Sequence, residues 1–342
     1  MDPTNSAHLP SWPIVSLVVL AVLAALALVN VAVARLAERR NPPRGRFVEV
    51  DGVRLHYTDR GDGRAVVLLH GNAVAGSDYD TSGVAERLVG AYRVAVFDRP
   101  GFGHSERPRG RAWTAAEQAD LIHAALARVG VSRPVVVGHS WGTLVALAFA
   151  ERHPADTAGL VLLSGYYFPT PRLDALLVAP AAMPVLGDVL RHTVSPPFGW
   201  LTMPLLKRAM FAPAPVTERF RREYSDAMAL RPSQLRATAS DGALMMPDAK
   251  GLSAGYGALS MPVAIVAGSG DKVVAPDHAE RLRATVPDAT LRVIEGVGHM
   301  VHHSATDRVV EAIEEVARRS EASARPHAPA ARAAAGHTPG DA

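Results

Sequence analysis

The 342-residue chain contains no cysteine. That excludes disulfide staples, a thiol nucleophile and any cysteine-ligated zinc or iron–sulfur centre. Lysine is nearly missing too: 33 of the 36 basic residues are arginine. Against 33 acidic residues they leave a net charge of +3, and aromatic residues make up only 6%. A weak basic excess without interleaved aromatics gives no nucleic-acid groove. The first 34 residues hold no Lys or Arg, although a secretory leader requires a basic start. What remains is 48% apolar and 20% charged, the balance of a globular chain rather than a disordered or fibrous one.

Residues 14–34 read IVSLVVLAVLAALALVNVAVA, with only Ser16 and Asn30 polar. As a helix rising about 1.5 Å per residue, the run spans a hydrocarbon core of roughly 30 Å. Ala32-Val33-Ala34 looks like a cleavage site, but the run is too long for a leader's apolar core. A retained single-pass anchor is expected, ahead of a cleaved leader or a buried core helix. Arg35, Arg39, Arg40, Arg44 and Arg46 follow at once in a basic linker over 35–45 and its edge. By the positive-inside rule they put the rest of the chain in the cytoplasm. Residues 1–13 form a short flank, and the Ala- and Pro-rich stretch 321–342 reads as a disordered tail.

Between these ends, short β-branched runs alternate with helical patterns. The runs are 65–71, 93–103, 134–142, 159–165, 262–271 and 290–299, each closing on a glycine-containing turn. Asp51-Gly52 marks a hairpin ahead of them, and Thr114 with Glu117 marks a capped helix start. Runs apolar on both faces suit a parallel sheet buried between helical layers. Residues 166–256 break this rhythm: no strand pattern, 11 prolines and six of the nine methionines. We expect a helical cap there, inserted into a core formed by 46–165 and 257–320.

Chemistry in such sheets collects at the carboxyl ends of the strands. The run PVVV leads into Gly138-His139-Ser140-Trp141-Gly142 and then a helix, the strand–turn–helix setting in which G-x-S-x-G exposes a nucleophilic serine. A serine hydroxyl needs a base within hydrogen-bond reach. Asp271 and His299 end two later runs in the order acid then base, so His299 is expected to take the Ser140 proton and Asp271 to orient and offset the imidazolium. For the oxyanion, the donors expected are the N–H groups of Trp141 and Asn72, with Ala73 as second choice for the latter.

The blocks HGN (70–72), DRPGFGHS (98–105), GHSWG (138–142), GSGDKVVAP (268–276) and GVGHMVHH (296–303) resemble the α/β-hydrolase superfamily. The resemblance covers residues 46–320. It implies an eight-stranded, mostly parallel sheet, a cap after the sixth strand and no cofactor. HGN with a Trp after the nucleophile is similar to haloalkane dehalogenases, but those, like epoxide hydrolases of the fold, use Asp where this chain has Ser140. SWG with the following TLVALAFAERHP (143–154) is also similar to proline iminopeptidases, whose DQRG turn is here Asp98-Arg99-Pro100-Gly101.

Other polar residues have plainer readings. Asp98 and Arg99 brace their turn, His70 orders the oxyanion loop, His139 packs, and His104 is solvated or caps. His302 and His303 lack the three or four convergent ligands a metal needs, so no metal is expected. The apolar cap suits a small apolar substrate, and PFGWLTMPLL within it is a candidate to touch the bilayer. The activity expected is hydrolysis of a carboxylic ester or amide. The alternatives are an aminopeptidase, a carbon–carbon bond hydrolase with the same triad, and an inactive binding protein on this fold.

Overall fold

A computed structural model describes residues 12–171 and 179–324. Helix α1 runs from Trp12 to Arg40, past both ends of the expected 14–34, and is long and apolar enough to cross a membrane. Of the flank 1–13, residues 1–11 lie outside the described residues, as does 325–342 of the tail. The tail reading is corrected at its start, because the last helix continues to Ala324. Glu311 and Glu315, which pair with Arg292 of the sheet, belong to the same helix.

Eight strands make one sheet: β1 (Arg46–Val50), β2 (Val53–Arg60), β3 (Arg64–Leu69), β4 (Tyr92–Phe97), β5 (Val135–His139), β6 (Gly159–Leu163), β7 (Val263–Gly268) and β8 (Ala289–Ile294). Their order is β1-β2-β4-β3-β5-β6-β7-β8, with β2 antiparallel to both neighbours and the rest parallel. Asp51 and Gly52 between β1 and β2 both have positive φ (50° and 72°), which is the backbone of a type I′ turn.

The central strands are buried on both faces, and alternate residues feed two separate cores. Val67, Leu69, Val136, Leu162 and Ile265 pack under helices α4 (Ala115–Arg128) and α5 (Gly142–Arg152). Val66, Leu68, Val137, Leu163 and Val266 face α2 (Ser77–Thr81), α3 (Val84–Leu88) and the C-terminal helix. Each such side chain contributes about 1.5–3 kcal/mol on burial. Thr114 caps α4 in a reciprocal bond pair with Glu117.

Between β6 and β7 the described residues hold no strand. Helices α6 (Leu186–His192), α7 (Ser195–Phe211), α8 (Glu218–Glu223), α9 (Asp226–Ala229) and α10 (Pro232–Leu252) fill the insertion. Of this segment, 172–178 lies outside the described residues. α10 lies over the strand ends: Asn72 Nδ2 donates to Thr238 O (3.0 Å) and Trp141 Nε1 to Asp241 O (2.8 Å). The core then closes with α11 (Asp277–Thr285), α12 (Val301–Ser304) and α13 (Thr306–Ala324).

One core carboxylate has a pH consequence. Burial pushes Glu151 on α5 up to about 7, and among the described residues its Oε1 has no hydrogen-bond partner. The unfolded chain loses this proton first, near 4.5. Wild-type stability therefore falls as pH rises from about 4.5 toward 7. Glu151→Gln should remove that fall, for a gain at alkaline pH on the order of 1 kcal/mol after allowing for partial solvent access. Melting curves of both proteins at about pH 5 and about pH 8 decide it; a gap that does not change with pH contradicts this account.

Candidate active site

The turn after β5 explains the glycines around Ser140. A Cβ on Gly138 would lie 2.5 Å from Gly142 O, and one on Gly142 would lie 2.4 Å from Leu69 O. Neither position admits a side chain. Ser140 itself has φ of +50°, a left-handed conformation that costs a non-glycine residue about 1–3 kcal/mol. The surroundings hold it there. Ser140 N–H donates to Leu163 O on β6 (2.9 Å), and the Thr143 hydroxyl and N–H both donate to Ser140 O (2.6 and 3.0 Å). The side chain is thereby turned away from the sheet, and the residue is partly exposed.

Asp271 and His299 arrive from the ends of β7 and β8. Gly270 N–H donates to Val297 O (2.9 Å) and Gly296 N–H to Ser269 Oγ (3.0 Å), which ties the two loops together. His299 Nε2 lies 2.8 Å from Ser140 Oγ, and its Nδ1 lies 2.8 Å from Asp271 Oδ2. Asp271 Oδ1 accepts the N–H groups of Val273 and Val274 (2.8 and 3.0 Å). The carboxylate is thus fixed at both oxygens. It leaves His299 one tautomer, with Nδ1 protonated and Nε2 able to accept the serine proton.

Trp141 is the N-cap of α5, where backbone dipoles favour negative charge. Among the described residues, neither Trp141 N–H nor Asn72 N–H has a protein acceptor, whereas Ala73 N–H is spent on Asn72 Oδ1 (3.0 Å). Of the two loop donors considered, only Asn72 is free for a ligand.

The loop carrying Asn72 is held from behind. Arg99 N–H donates to His70 Nε2 (2.9 Å), and the Arg99 guanidinium donates to His70 O (2.8 Å) and Gly71 O (3.0 Å). Burial, reinforced by the Arg99 charge, pulls His70 down to about 4, so this imidazole stays neutral and orders the loop. Asp98 braces its turn by accepting from Gly76 N–H (2.7 Å) and His104 N–H (2.9 Å) and facing His56 Nδ1 (2.8 Å). His104 is half-buried.

Two groups escape sequence reasoning. Asp241, fully buried on α10, receives Arg99 at 2.7 Å and Arg107 at 2.8 Å, and the Arg99 guanidinium lies 4.6 Å from the Trp141 ring centre. The only sequence signal is a lone acid in an otherwise small and apolar helix stretch. Asp78, fully enclosed, accepts from His302 Nε2 (2.7 Å) and His303 Nε2 (2.8 Å). Burial pushes its carboxyl up, but the facing imidazoles of His303 and His302 outweigh that and hold it well below the usual range. His139 joins them: its ring lies 4.2 Å from that of His302, and its Nε2 donates to His299 O (3.1 Å). The expectation that nothing converges on His302 is therefore corrected. Ligand-type atoms of Asp78, His139 and His302 lie within 4.8 Å of one another, although both Asp78 oxygens are already taken by imidazoles.

Residues 64–306 match the family described as alpha/beta hydrolase fold. Among curated relatives, 2-hydroxymuconate semialdehyde hydrolase of Pseudomonas putida is 31% identical over 155 residues, covering 45% of this chain and 55% of that protein. Haloalkane dehalogenase 2 of Mycobacterium tuberculosis is 28% identical over 290 residues, covering 80% of this chain and 94% of that one. Among solved structures, a membrane phospholipase A described as a bacterial virulence factor superposes with a TM-score of 0.64 at 18% identity, covering 90% of this chain and 98% of that one. The sheet order, the insertion after β6 and the family match agree: the chain belongs to the α/β-hydrolase family.

Proposed function

We propose that this α/β-hydrolase cleaves a carboxylic ester, or an amide, of an apolar small molecule through an acyl-Ser140 intermediate. The observation that carries the reading is His299 Nε2 at 2.8 Å from Ser140 Oγ with Asp271 fixed behind it. Ser140 Oγ attacks the carbonyl carbon as His299 takes its proton. The oxyanion accepts from Asn72 and Trp141 N–H, and His299 returns the proton to the leaving oxygen or nitrogen. Water, deprotonated by His299, then releases the acid and restores Ser140. No cofactor is required by this sequence of steps. α10, with its neighbours, acts as the cap over the acyl site. Helix α1 anchors the enzyme in a membrane with the catalytic domain on the cytoplasmic side, as the arginines after Ala34 indicate.

Serine also argues against haloalkane turnover. Attack by a serine oxygen on an alkyl halide leaves an ether, which water does not cleave, whereas an aspartate forms an ester that it does. Carbon–carbon bond hydrolysis is the second reading, since the Pseudomonas putida relative is named for a semialdehyde hydrolase and the same triad serves a ketone. The test is a p-nitrophenyl ester chain-length series with fluorophosphonate labelling of the full chain. Ester turnover and a single adduct on Ser140 are expected. Labelling without ester or amide turnover favours the carbon–carbon reading. Neither labelling nor turnover by folded protein moves the function to binding.

A further inference from the structure

Helix α1 is joined to the inserted helices at a depth that water does not reach if the helix spans a bilayer. The Asn30 side-chain amide donates to His192 O (2.8 Å) and Thr193 O (2.9 Å), at the C-terminal end of α6. Asn30 sits four residues before Ala34, where the apolar run ends, or about 6 Å deeper at 1.5 Å per residue. A polar amide in hydrocarbon is costly, and so are unpaired carbonyls at a helix end. Here each satisfies the other. Farther along, the contacts include an ion pair and are only partly buried: Glu38, half-exposed, pairs with Arg231 (2.8 Å), and Asn41 reaches Ser225 Oγ (3.4 Å). The joint thus runs from hydrocarbon level to headgroup level.

Among the described residues, the face beside this joint is apolar and exposed. Val185, Val189, Val194, Phe198, Leu201 and Leu205 are 77%, 46%, 51%, 63%, 77% and 68% exposed. The last four follow helical spacing along one side of α7. No charged residue occurs between Val194 and Leu206. A contiguous apolar face of this kind marks an interaction surface, and helices that lie in a membrane interface bury such a face by about 5–10 Å. That range contains the depth of the Asn30 joint. Exposed Arg35, Arg39, Arg40 and Arg44 stand just above it, where anionic headgroups attract them.

We infer that the α6–α7 face is immersed in the acyl layer of the leaflet that receives the C-terminal end of α1. The enzyme then meets its bilayer through two surfaces, a span and a submerged flank of the cap. The inference rests on the anchor reading and specifies which further surface touches lipid.

The cysteine-free sequence allows a direct test. Leu201→Cys on the face, Leu20→Cys in the span and Ala284→Cys on α11 each receive a single NBD label in the full chain. They are reconstituted in phosphatidylcholine–phosphatidylglycerol vesicles with or without doxyl-labelled lipid. Retained ester hydrolysis certifies the fold, and Phe198→Cys replaces Leu201→Cys if that label disturbs it. The expected result is that doxyl lipid removes most emission at positions 201 and 20 and little at 284. Quenching at 20 with a water-exposed, unquenched 201 overturns the inference and leaves the anchor standing. A blue-shifted but unquenched 201 overturns it in favour of a second copy covering the face. No quenching at 20 or 201 overturns both the anchor and the inference.

Discussion

Replacing Ser140 with alanine is expected to lower kcat for the best p-nitrophenyl ester by about 10⁶-fold and to abolish fluorophosphonate labelling. The size follows from what remains. Without the hydroxyl no acyl-enzyme forms, and His299 has no proton to move at the start of the reaction. On the proposed mechanism the Asn72 and Trp141 N–H groups would still stabilise an oxyanion formed by direct water attack, so some catalysis over bulk water should survive. His299→Ala should cost about as much as Ser140→Ala, and the double variant little more, because the two act as one unit. Asp271→Asn should lose less, about 10⁴-fold. An amide offers one oxygen where the carboxylate offers two, and a neutral partner favours the wrong imidazole tautomer. Steady-state rates on the purified variants check the series. A Ser140→Ala enzyme that keeps a tenth of wild-type turnover, after contaminating esterase is excluded, would falsify the acyl-serine mechanism.

Asp241→Asn is expected to be the most destabilising single change away from the triad, by about 3–5 kcal/mol. Arg99 and Arg107 share this carboxylate in full burial, so neutralising it leaves two guanidinium charges without an anion. The expected fall in Tm is on the order of 10 °C. Activity should fall with it, because Arg99 carries the His70 and Gly71 carbonyls and Trp141 Nε1 hangs on Asp241 O. Arg107→Met should be milder, since Arg99 still balances Asp241. Calorimetry of the two variants settles the order. Equal melting of Asp241→Asn and wild type contradicts a structural role for this cluster.

The parts of the molecule that sequence reveals are those whose cause is local. Asp51-Gly52 dictates its own hairpin, Thr114 and Glu117 cap their own helix, and Gly138 and Gly142 shape their own turn. Ser140, Asp271 and His299 are legible because each lies in the loop just after a strand and the parallel topology brings strand ends together. Partners chosen by tertiary packing carry no such mark. Arg99 finds Asp241 across 142 residues and His302 finds Asp78 across 224, and nothing near either acid announces its partner. The loop proposed to bind the oxyanion lies between. Its HGN signature places it, but the choice of Asn72 over Ala73 depends on an internal bond from Ala73 N–H to the Asn72 side chain.

Asn30 and Glu38 of α1 and Asn41, one residue past it, lie along one stripe and are bonded to three parts of the insertion: the end of α6, Arg231 before α10 and Ser225 before α9. A plain tether fixes only distance: the body on its end can spin and rock. Three attachment points along one stripe fix rotation and tilt as well, so α1 works as a keyed shaft. On the proposed anchor reading, a polyleucine helix of equal length would keep the enzyme on the membrane while releasing that key. If α1 spans a bilayer as proposed, the heading of the catalytic cleft relative to that bilayer is set by three polar side chains rather than by the hydrophobic run.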